Sequence, residues 1–358
     1  MRIRVLAIAL ALLAVVSPVS AEDTWSGVER IVAVGDVHGD FAQFVAVLRS
    51  AEIIDRDNKW SGGKTHLVQC GDVLDRGADS RKVMDLLMSL EKQAQEAGGA
   101  VHALIGNHEA MNVYGDLRYV SAGEYASYQT DKSASVRDMY YDQHVKELRS
   151  NPPPGGAPVI DAAYKAKWET THPLGYFEHR TAFAPDGVYG KWIRGHEAIV
   201  KINDMVFLHG GIGPKYAKAG IRKINEQVQK ELKDFSRLEG GTAMDPEGPL
   251  WFRGLALDDE RKLESHLKGT LERLGAKYMV IAHTVTKGMI TPRFDGRVIM
   301  IDVGLSQVYG ARTACLLVEG GKQFAMHRGN KVAMPTNMGS DLTRYMDQIR
   351  ALDLQPRP

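Results

Sequence analysis

Short apolar runs bounded by polar turns recur along this chain. Ile31–Val34, Thr65–Cys70, Ala100–Ile105, Asp204–Leu208 and Tyr278–Ala282 each read as a buried strand, too short and too β-branched for a helix. Between the first three, the apolar period changes. Phe41, Phe44, Val45 and Leu48 fall on one helical stripe, with Asp40 placed to cap it. Val83, Met84, Leu87 and Leu90 form a second stripe, which Gly98-Gly99 ends. Strand, loop and helix thus repeat three times in the first third of the chain. That alternation predicts an α/β fold with parallel neighbours in a sheet and helices packed on it.

Beyond Met111 the pattern loosens. From 111 to 189 tyrosines are frequent, a helix is predicted over Asp138–Leu148, and the Pro/Gly run from Pro152 to Pro158 divides the segment. We read it as a helical insertion over one side of a site. Lys191–Ile202 looks extended. A helix is predicted over Ile221–Phe235, and Pro246–Leu255 reads as a loop. Leu263, Leu267, Leu271 and Leu274 form a helical stripe with Gly275 as its cap. Arg297–Val303, Ala311–Val318 and Gln323–His327 read as strands in hairpin-like succession. The polar stretch after Ala333 predicts a short helix and a frayed end.

The N-terminus changes the picture. Arg2 and Arg4 precede an apolar run from Val5 to Val16, and Val19-Ser20-Ala21 offers small residues at a cleavage site. This reads as a secretory signal over 1–21, cleaved after Ala21. The run is too short to span a bilayer, which needs about 20 apolar residues. The expected mature protein is exported, periplasmic or secreted, with no membrane attachment after cleavage. It comprises a catalytic domain over 22–335, carrying the insertion at about 111–189, and a tail over 336–358. A net charge of +1 in 358 residues gives no reason to expect nucleic acid as a partner. Cys70 and Cys315 lie in apolar runs; pairing is open after export, but two buried thiols are the plainer reading.

The apolar runs end in metal-type side chains: Asp36 and His38, Asp72, Asn107 and His108, His209, His283. Any one of these is as well explained as a turn cap. Five such ends, at the carboxyl ends of strands in one sheet, converge on one place. Carboxylate, imidazole and amide donors together suit a pair of divalent transition metals.

Asp-x-His at 36–38, Gly-Asp-x-x-Asp-Arg-Gly at 71–77, Gly-Asn-His-Glu at 106–109 and the two later histidines resemble the signature of calcineurin-like metallophosphoesterases. Asp75-Arg76-Gly77 narrows this to the phosphoprotein-phosphatase branch. His209-Gly210-Gly211, Leu250-Trp251-Phe252-Arg253 and Thr291-Pro292-Arg293-Phe294 look most like the Shewanella-like bacterial phosphatases. The resemblance spans about Ile31 to Val318. It implies a two-sheet β-sandwich flanked by helices, the metallophosphoesterase fold. It assigns Asp36, His38 and Asp72 to one metal and Asn107, His209 and His283 to a second, with Asp72 bridging. It implies two divalent ions, manganese, iron or zinc, which activate a water for in-line attack on phosphorus. His108 is then the acid that protonates the leaving oxygen, with Asp75 behind it. Arg76 and Arg253 are the forks that bind phosphate.

The expected activity is hydrolysis of phosphomonoesters, on a phosphorylated protein or peptide (Ser/Thr or Tyr) or a small phosphate ester. Hydrolysis of dinucleoside polyphosphates or other nucleotides is the alternative, since relatives of the same branch do this. An exported binding protein that keeps the site without turnover is a third reading, disfavoured because His108 and Asp75 are both present. Glu109 reads as a turn anchor, Asp302 and Asp295 as turn caps, and Arg194 and His196 as cleft lining or a brace. His66, His102, His144, His172, His179, His266 and His327 fall in no motif and receive no role.

Overall fold

The computed structural model describes residues 23–354; the signal segment expected over 1–21 lies outside them. Two six-stranded sheets face each other, so the strand ends expected in one sheet are divided between two. Their strands are β1 (Thr24–Trp25), β2 (Arg30–Val34), β3 (His66–Gln69), β4 (Ala100–Ala103), β5 (Ile199–Ile202), β6 (Met205–Leu208), β7 (Tyr278–Ile281), β8 (Thr291–Arg293), β9 (Val298–Met300), β10 (Ala314–Glu319), β11 (Lys322–His327) and β12 (Asn330–Ala333). One sheet has the order β12-β11-β10-β2-β3-β4 and the other β1-β5-β6-β7-β9-β8. As the alternation predicts, β2, β3 and β4 are parallel neighbours, Val32 opposite Leu67 and Leu67 opposite Val101. β10 and β11 form the expected hairpin. β9 does not continue that succession: it pairs parallel to β7 in the opposite sheet, so the chain changes sheets between Met300 and Ala314.

The period-two alternation on each strand divides the core into layers. Ile31 and Ala33 of β2 pack between the sheets with Val68, Phe207, Val280 and Ile299. Val32 and Val34 point the other way, into the layer that buries Phe44 and Leu48 of α1 (Phe41–Ser50) and Val83 and Leu87 of α2 (Ser80–Glu96). Asp40 caps α1, its carboxylate accepting from the Gln43 amide.

α3 (Asn107–Tyr114) opens the insertion. It continues as α4 (Ala122–Ser127), α5 (Ser133–Ser150), α6 (Ala162–Thr171), α7 (Tyr176–Phe183) and α8 (Val188–Ile193). Residues 191–193 therefore belong to a helix, where the sequence suggests extended chain. Tyr189 and Ile193, one helical turn apart, are both buried, and only from Ile199 does a strand form. The second half adds α9 (Ile221–Lys233), α10 (Gly254–Leu257) and α11 (Glu260–Leu274), the last ended by left-handed Gly275. The helix expected after Ala333 is α12 (Ser340–Asp353). Its Tyr345 and Ile349 join the layer between the sheets, and the Tyr345 hydroxyl donates to the Ile290 carbonyl at 2.7 Å.

Two glycines bring the strand ends together. A Cβ at Gly35, just after β2, would lie 2.6 Å from the Ile301 carbonyl, just after β9 of the opposite sheet. A Cβ at Gly71, just after β3, would lie 2.6 Å from the Gly106 backbone and 3.0 Å from His209 Nδ1, while φ of +83° also favours glycine there. Any larger residue would push apart the carboxyl ends on which the site is built.

Candidate metal centre

Six expected ligands converge at those ends, all buried: Asp36, His38, Asp72, Asn107, His209 and His283. The loops that present them are strained. His38, Asp72, Asp75, Arg76 and His283 all have positive φ, from 46° to 69°, a region non-glycine residues seldom adopt. Buried polar contacts hold them in place. The Val37 and His38 amides donate to the Asp72 carbonyl at 2.9 and 3.0 Å. Glu109 accepts from the Asp72, Val73 and Gly106 amides at 2.7, 2.9 and 2.8 Å, as a turn anchor should. Burial first, then the neighbouring Asp72 charge, pushes its carboxyl up to about 7.

The imidazoles are oriented from behind. His209 Nδ1–H donates to the Cys70 carbonyl at 2.8 Å and His38 Nδ1–H to the Leu74 carbonyl at 3.0 Å, so each turns Nε2 into the centre. His209 Nε2 lies 2.9 Å from Asn107 Oδ1, 3.0 Å from His283 Nδ1 and 3.2 Å from Asp72 Oδ2. His283 Nδ1 faces Arg253 Nη2 at 3.4 Å, and a guanidinium only donates, so this nitrogen too presents a lone pair. Four electron-pair donors therefore point at one spot, an arrangement that repels itself unless a cation or proton sits among them. Burial opposes a charge on His209, yet the Asp72 and Asp36 carboxylates prevail and push it up to about 9. Burial and the neighbouring His209 push His283 down to about 3. On the other side of Asp72, His38 Nε2 lies 3.6 Å from Asp36 Oδ2 and 3.9 Å from Asp72 Oδ2. Asp72 thus faces both clusters. This donor set fits divalent ions.

His108 stands beside the centre. Its Nε2 is 3.8 Å from Asp72 Oδ2, near enough for a donor on distance alone. Its Nδ1 is 2.5 Å from Asp75 Oδ2, which fixes the ring with Nε2 on the side of Asp72. Asp75 is wholly buried, and its other oxygen accepts from Asn112 Nδ2 at 3.0 Å. The Arg76 guanidinium lies 3.9 Å above the Tyr119 ring, whose centre is 5.1 Å from the His108 ring. Arg253 reaches the centre as well, but half its fork is engaged: Nη1 donates to the His283 carbonyl at 2.6 Å and to Thr284 Oγ1 at 3.0 Å.

Asp302 does cap a turn, accepting from the Gly304 amide at 3.1 Å, but its second oxygen is buried without a partner. Burial and the Asp36 charge hold its carboxyl well above the usual range. Arg194 and His196 brace rather than line the cleft, Arg194 donating to the Leu232 carbonyl and His196 meeting Glu91. Cys70 and Cys315 are unpaired and buried. Sequence reasoning missed Tyr119 and Asn112; the only signal for either was proximity to the Gly-Asn-His-Glu motif. It also missed Tyr309, whose ring lies 5.3 Å from His38.

Residues 29–286 match the model of the calcineurin-like phosphoesterases. The chain belongs to that family. As a calcineurin-like phosphoesterase it is a hydrolase of phosphate esters. The family implies divalent metal ions, which agrees with the donors just described. Among curated proteins it is 30% identical over 297 residues to Shewanella-like protein phosphatase 2 of Arabidopsis thaliana, covering 78% of this chain and 72% of that one. It is 26% identical over 290 residues to Shewanella-like protein phosphatase 1 of Plasmodium berghei, covering 79% and 68%. Among solved structures, the cold-active protein-tyrosine phosphatase of a psychrophilic Shewanella species superposes with a TM-score of 0.67 at 26% identity, covering 87% of this chain and 82% of that one. The resemblance to Shewanella-like phosphatases and the two-sheet fold expected from it are thus both found.

Proposed function

We propose that this phosphoesterase is an exported protein phosphatase that uses two divalent ions and favours phosphotyrosine. Asp36, His38 and Asp72 would hold one ion and Asp72, Asn107, His209 and His283 the other. The observation that carries this is the meeting of four lone pairs around His209 Nε2. Bound ions would supply an activated water and positive charge for the phosphate oxygens. The chain's own residues do the rest. Arg76 offers a planar fork to the phosphoryl group, and the free half of Arg253 a second. His108, its Nδ1 on Asp75, delivers a proton from Nε2 to the departing oxygen.

That reading also bears on the leaving group. With His108 as the acid, the atom that takes the proton would sit at His108 Nε2, next to the ring of Tyr119, which the insertion supplies. A phenol ring can stack there, whereas a serine or threonine side chain offers no face to stack. The protein-tyrosine phosphatase among the structural relatives supports the same preference. Export is supported by Arg2, Arg4 and the apolar run before Ala21.

The test is a comparison of kcat/KM for the purified chain from residue 22, loaded in turn with manganese, iron and zinc. Substrates are matched phosphotyrosyl, phosphoseryl and phosphothreonyl peptides and diadenosine tetraphosphate. The phosphotyrosyl peptide is expected to lead by at least about tenfold. A lead for diadenosine tetraphosphate would replace this reading with the nucleotide alternative, and N-terminal sequencing of the protein recovered from its native host checks cleavage after Ala21.

A further inference from the structure

Two helices of the insertion approach Asp75, the residue behind His108, by separate routes: Glu124 of α4, with His179 of α7 beside it, toward its main chain, and Arg180 of α7 toward its carboxylate. On one route, the Asp75 amide donates to Ser80 Oγ at 3.1 Å, and Ser80 Oγ donates to Glu124 Oε2 at 2.9 Å. Glu124 Oε1 lies 3.8 Å from His179 Nε2. On the other route, Arg180 Nη1 donates to the Asn112 carbonyl at 2.5 Å, and Asn112 Nδ2 donates to Asp75 Oδ1 and to the His108 carbonyl, both at 3.0 Å. The Asp75–Gly77 loop is clasped from the same side. The Arg76 amide donates to the Tyr119 carbonyl at 3.1 Å, and Ser121 Oγ to the Gly77 carbonyl at 2.8 Å.

Glu124 and His179 need an explanation. Both are wholly buried, and Glu124 Oε1 and both His179 nitrogens lack any partner. Their surroundings are the rings of Tyr125, Tyr128 and Phe183. Burial, then the Asp75 charge, pushes the Glu124 carboxyl up to about 8, and Glu109 adds to this. Burial, then the Arg180 charge, pushes His179 down to about 3. A neutral acid beside a neutral imidazole sets no bare charge in the core. Of the two, Glu124 is tied forward to the Asp75 loop through Ser80.

We propose that α4 and α7 of the insertion form a brace for the general acid, with Glu124 and Arg180 as positioning residues that fix Asp75 and thereby aim His108 at the departing oxygen. Glu124 acts on the Asp75 main chain through Ser80, and Arg180 acts on its carboxylate through Asn112. The inference rests on the assignment of His108 as the acid. It gives the insertion a task in the chemistry, and it ties the strained φ of +69° at Asp75 to contacts that lie outside the metal-binding motifs.

Leaving-group dependence separates this role from a structural one. Phenyl phosphate departs as a basic phenoxide and needs the proton; 4-nitrophenyl phosphate departs as a stable anion and barely does. With the full chain loaded with manganese, Glu124→Ala is expected to lose at least about tenfold in kcat on phenyl phosphate and under about threefold on 4-nitrophenyl phosphate, at unchanged metal content. Glu124→Gln keeps an acceptor for Ser80 and restores most of the loss. Arg180→Ala, whose site is less buried, must show the same asymmetry, and it decides the matter if Glu124→Ala does not fold. Equal losses on the two esters, or no loss, overturn the brace. His108→Ala is run alongside: asymmetric there but symmetric in the brace variants, the brace alone falls; symmetric in all, the acid assignment falls and takes the brace with it.

Discussion

His108 Nδ1 and Asp75 Oδ2 are 2.5 Å apart, with Asp75 wholly out of solvent and His108 almost so. A buried carboxylate at that distance fixes the ring, selects the tautomer with hydrogen on Nδ1 and favours the imidazolium when Nε2 is protonated. Burial opposes a charge on His108, but the Asp72 and Asp75 carboxylates outweigh it and raise the imidazole above its ordinary value. His108→Ala is therefore expected to lower kcat on a phosphotyrosyl peptide by roughly 10²–10⁴-fold. Asp75→Asn should lose less, roughly 10²-fold or below, because the ring stays in place without its counter-charge. Steady-state kinetics with metal analysis check this. Loss of bound metal in His108→Ala would make His108 a ligand instead.

The crowding around His209 Nε2 gives the second expectation. Without a cation, a second imidazole, an amide oxygen and a carboxylate oxygen crowd within 3.2 Å of His209 Nε2. Binding to the folded state alone stabilises it by mass action, by about 2.7 kcal/mol at a hundredfold excess over Kd. Dialysis against EDTA should abolish turnover and lower the thermal midpoint, and manganese should restore both. Asp72→Asn, which faces both clusters, should weaken metal binding more than Asp36→Asn or Asn107→Ala does. A thermal midpoint indifferent to EDTA and to added manganese would count against a metal centre here.

Much of this centre is legible in the sequence because its ligands sit where apolar runs stop. Asp36, Asp72 and Asn107 each follow a run by a few residues, and the run itself places them at a carboxyl end. His209 and His283 are legible for the same reason. The pairing of β9 with β7 is not, since Val298–Met300 is equally apolar for either sheet. Tyr345 and Ile349 are hidden in a polar helix whose single buried stripe is narrow. Glu124 and His179 leave no trace at all. Each is a polar residue on a short helix with no strong apolar face, and Glu124 meets Ser80 from 44 positions away.

Tyr119 should discriminate between substrates. Its ring holds the Arg76 guanidinium at 3.9 Å, a contact worth about 0.5–2 kcal/mol. Losing that contact weakens phosphate binding for every ester alike. Losing the ring beside His108 weakens only substrates that stack on it. Tyr119→Leu is therefore expected to reduce kcat/KM for all phosphopeptides by roughly threefold, and for the phosphotyrosyl peptide by at least about fivefold more. Tyr119→Phe, which keeps the ring, should stay within about twofold of the parent. A uniform loss across the three peptides would remove Tyr119 from specificity and leave it only the orientation of Arg76.

The last expectation concerns stability against pH, away from the centre. His102 on β4 is buried with Nε2 3.0 Å from His66 Nδ1, its ring against Trp25. Burial, then the charges of His66 and His196, pushes His102 down to about 3. In the unfolded chain the same imidazole titrates near 6.5. The unfolded chain therefore takes up its proton first. Stability from this group is complete above about pH 6.5 and is lost progressively as pH falls from there toward 3. At pH 5 the loss is about 2 kcal/mol. His102→Leu removes the group, so between pH 7.5 and pH 5.0 its unfolding free energy in urea should fall by about 2 kcal/mol less than that of the parent, both measured in the same EDTA buffer. Parallel falls in the two proteins would mean that His102 keeps its ordinary affinity for protons in the fold.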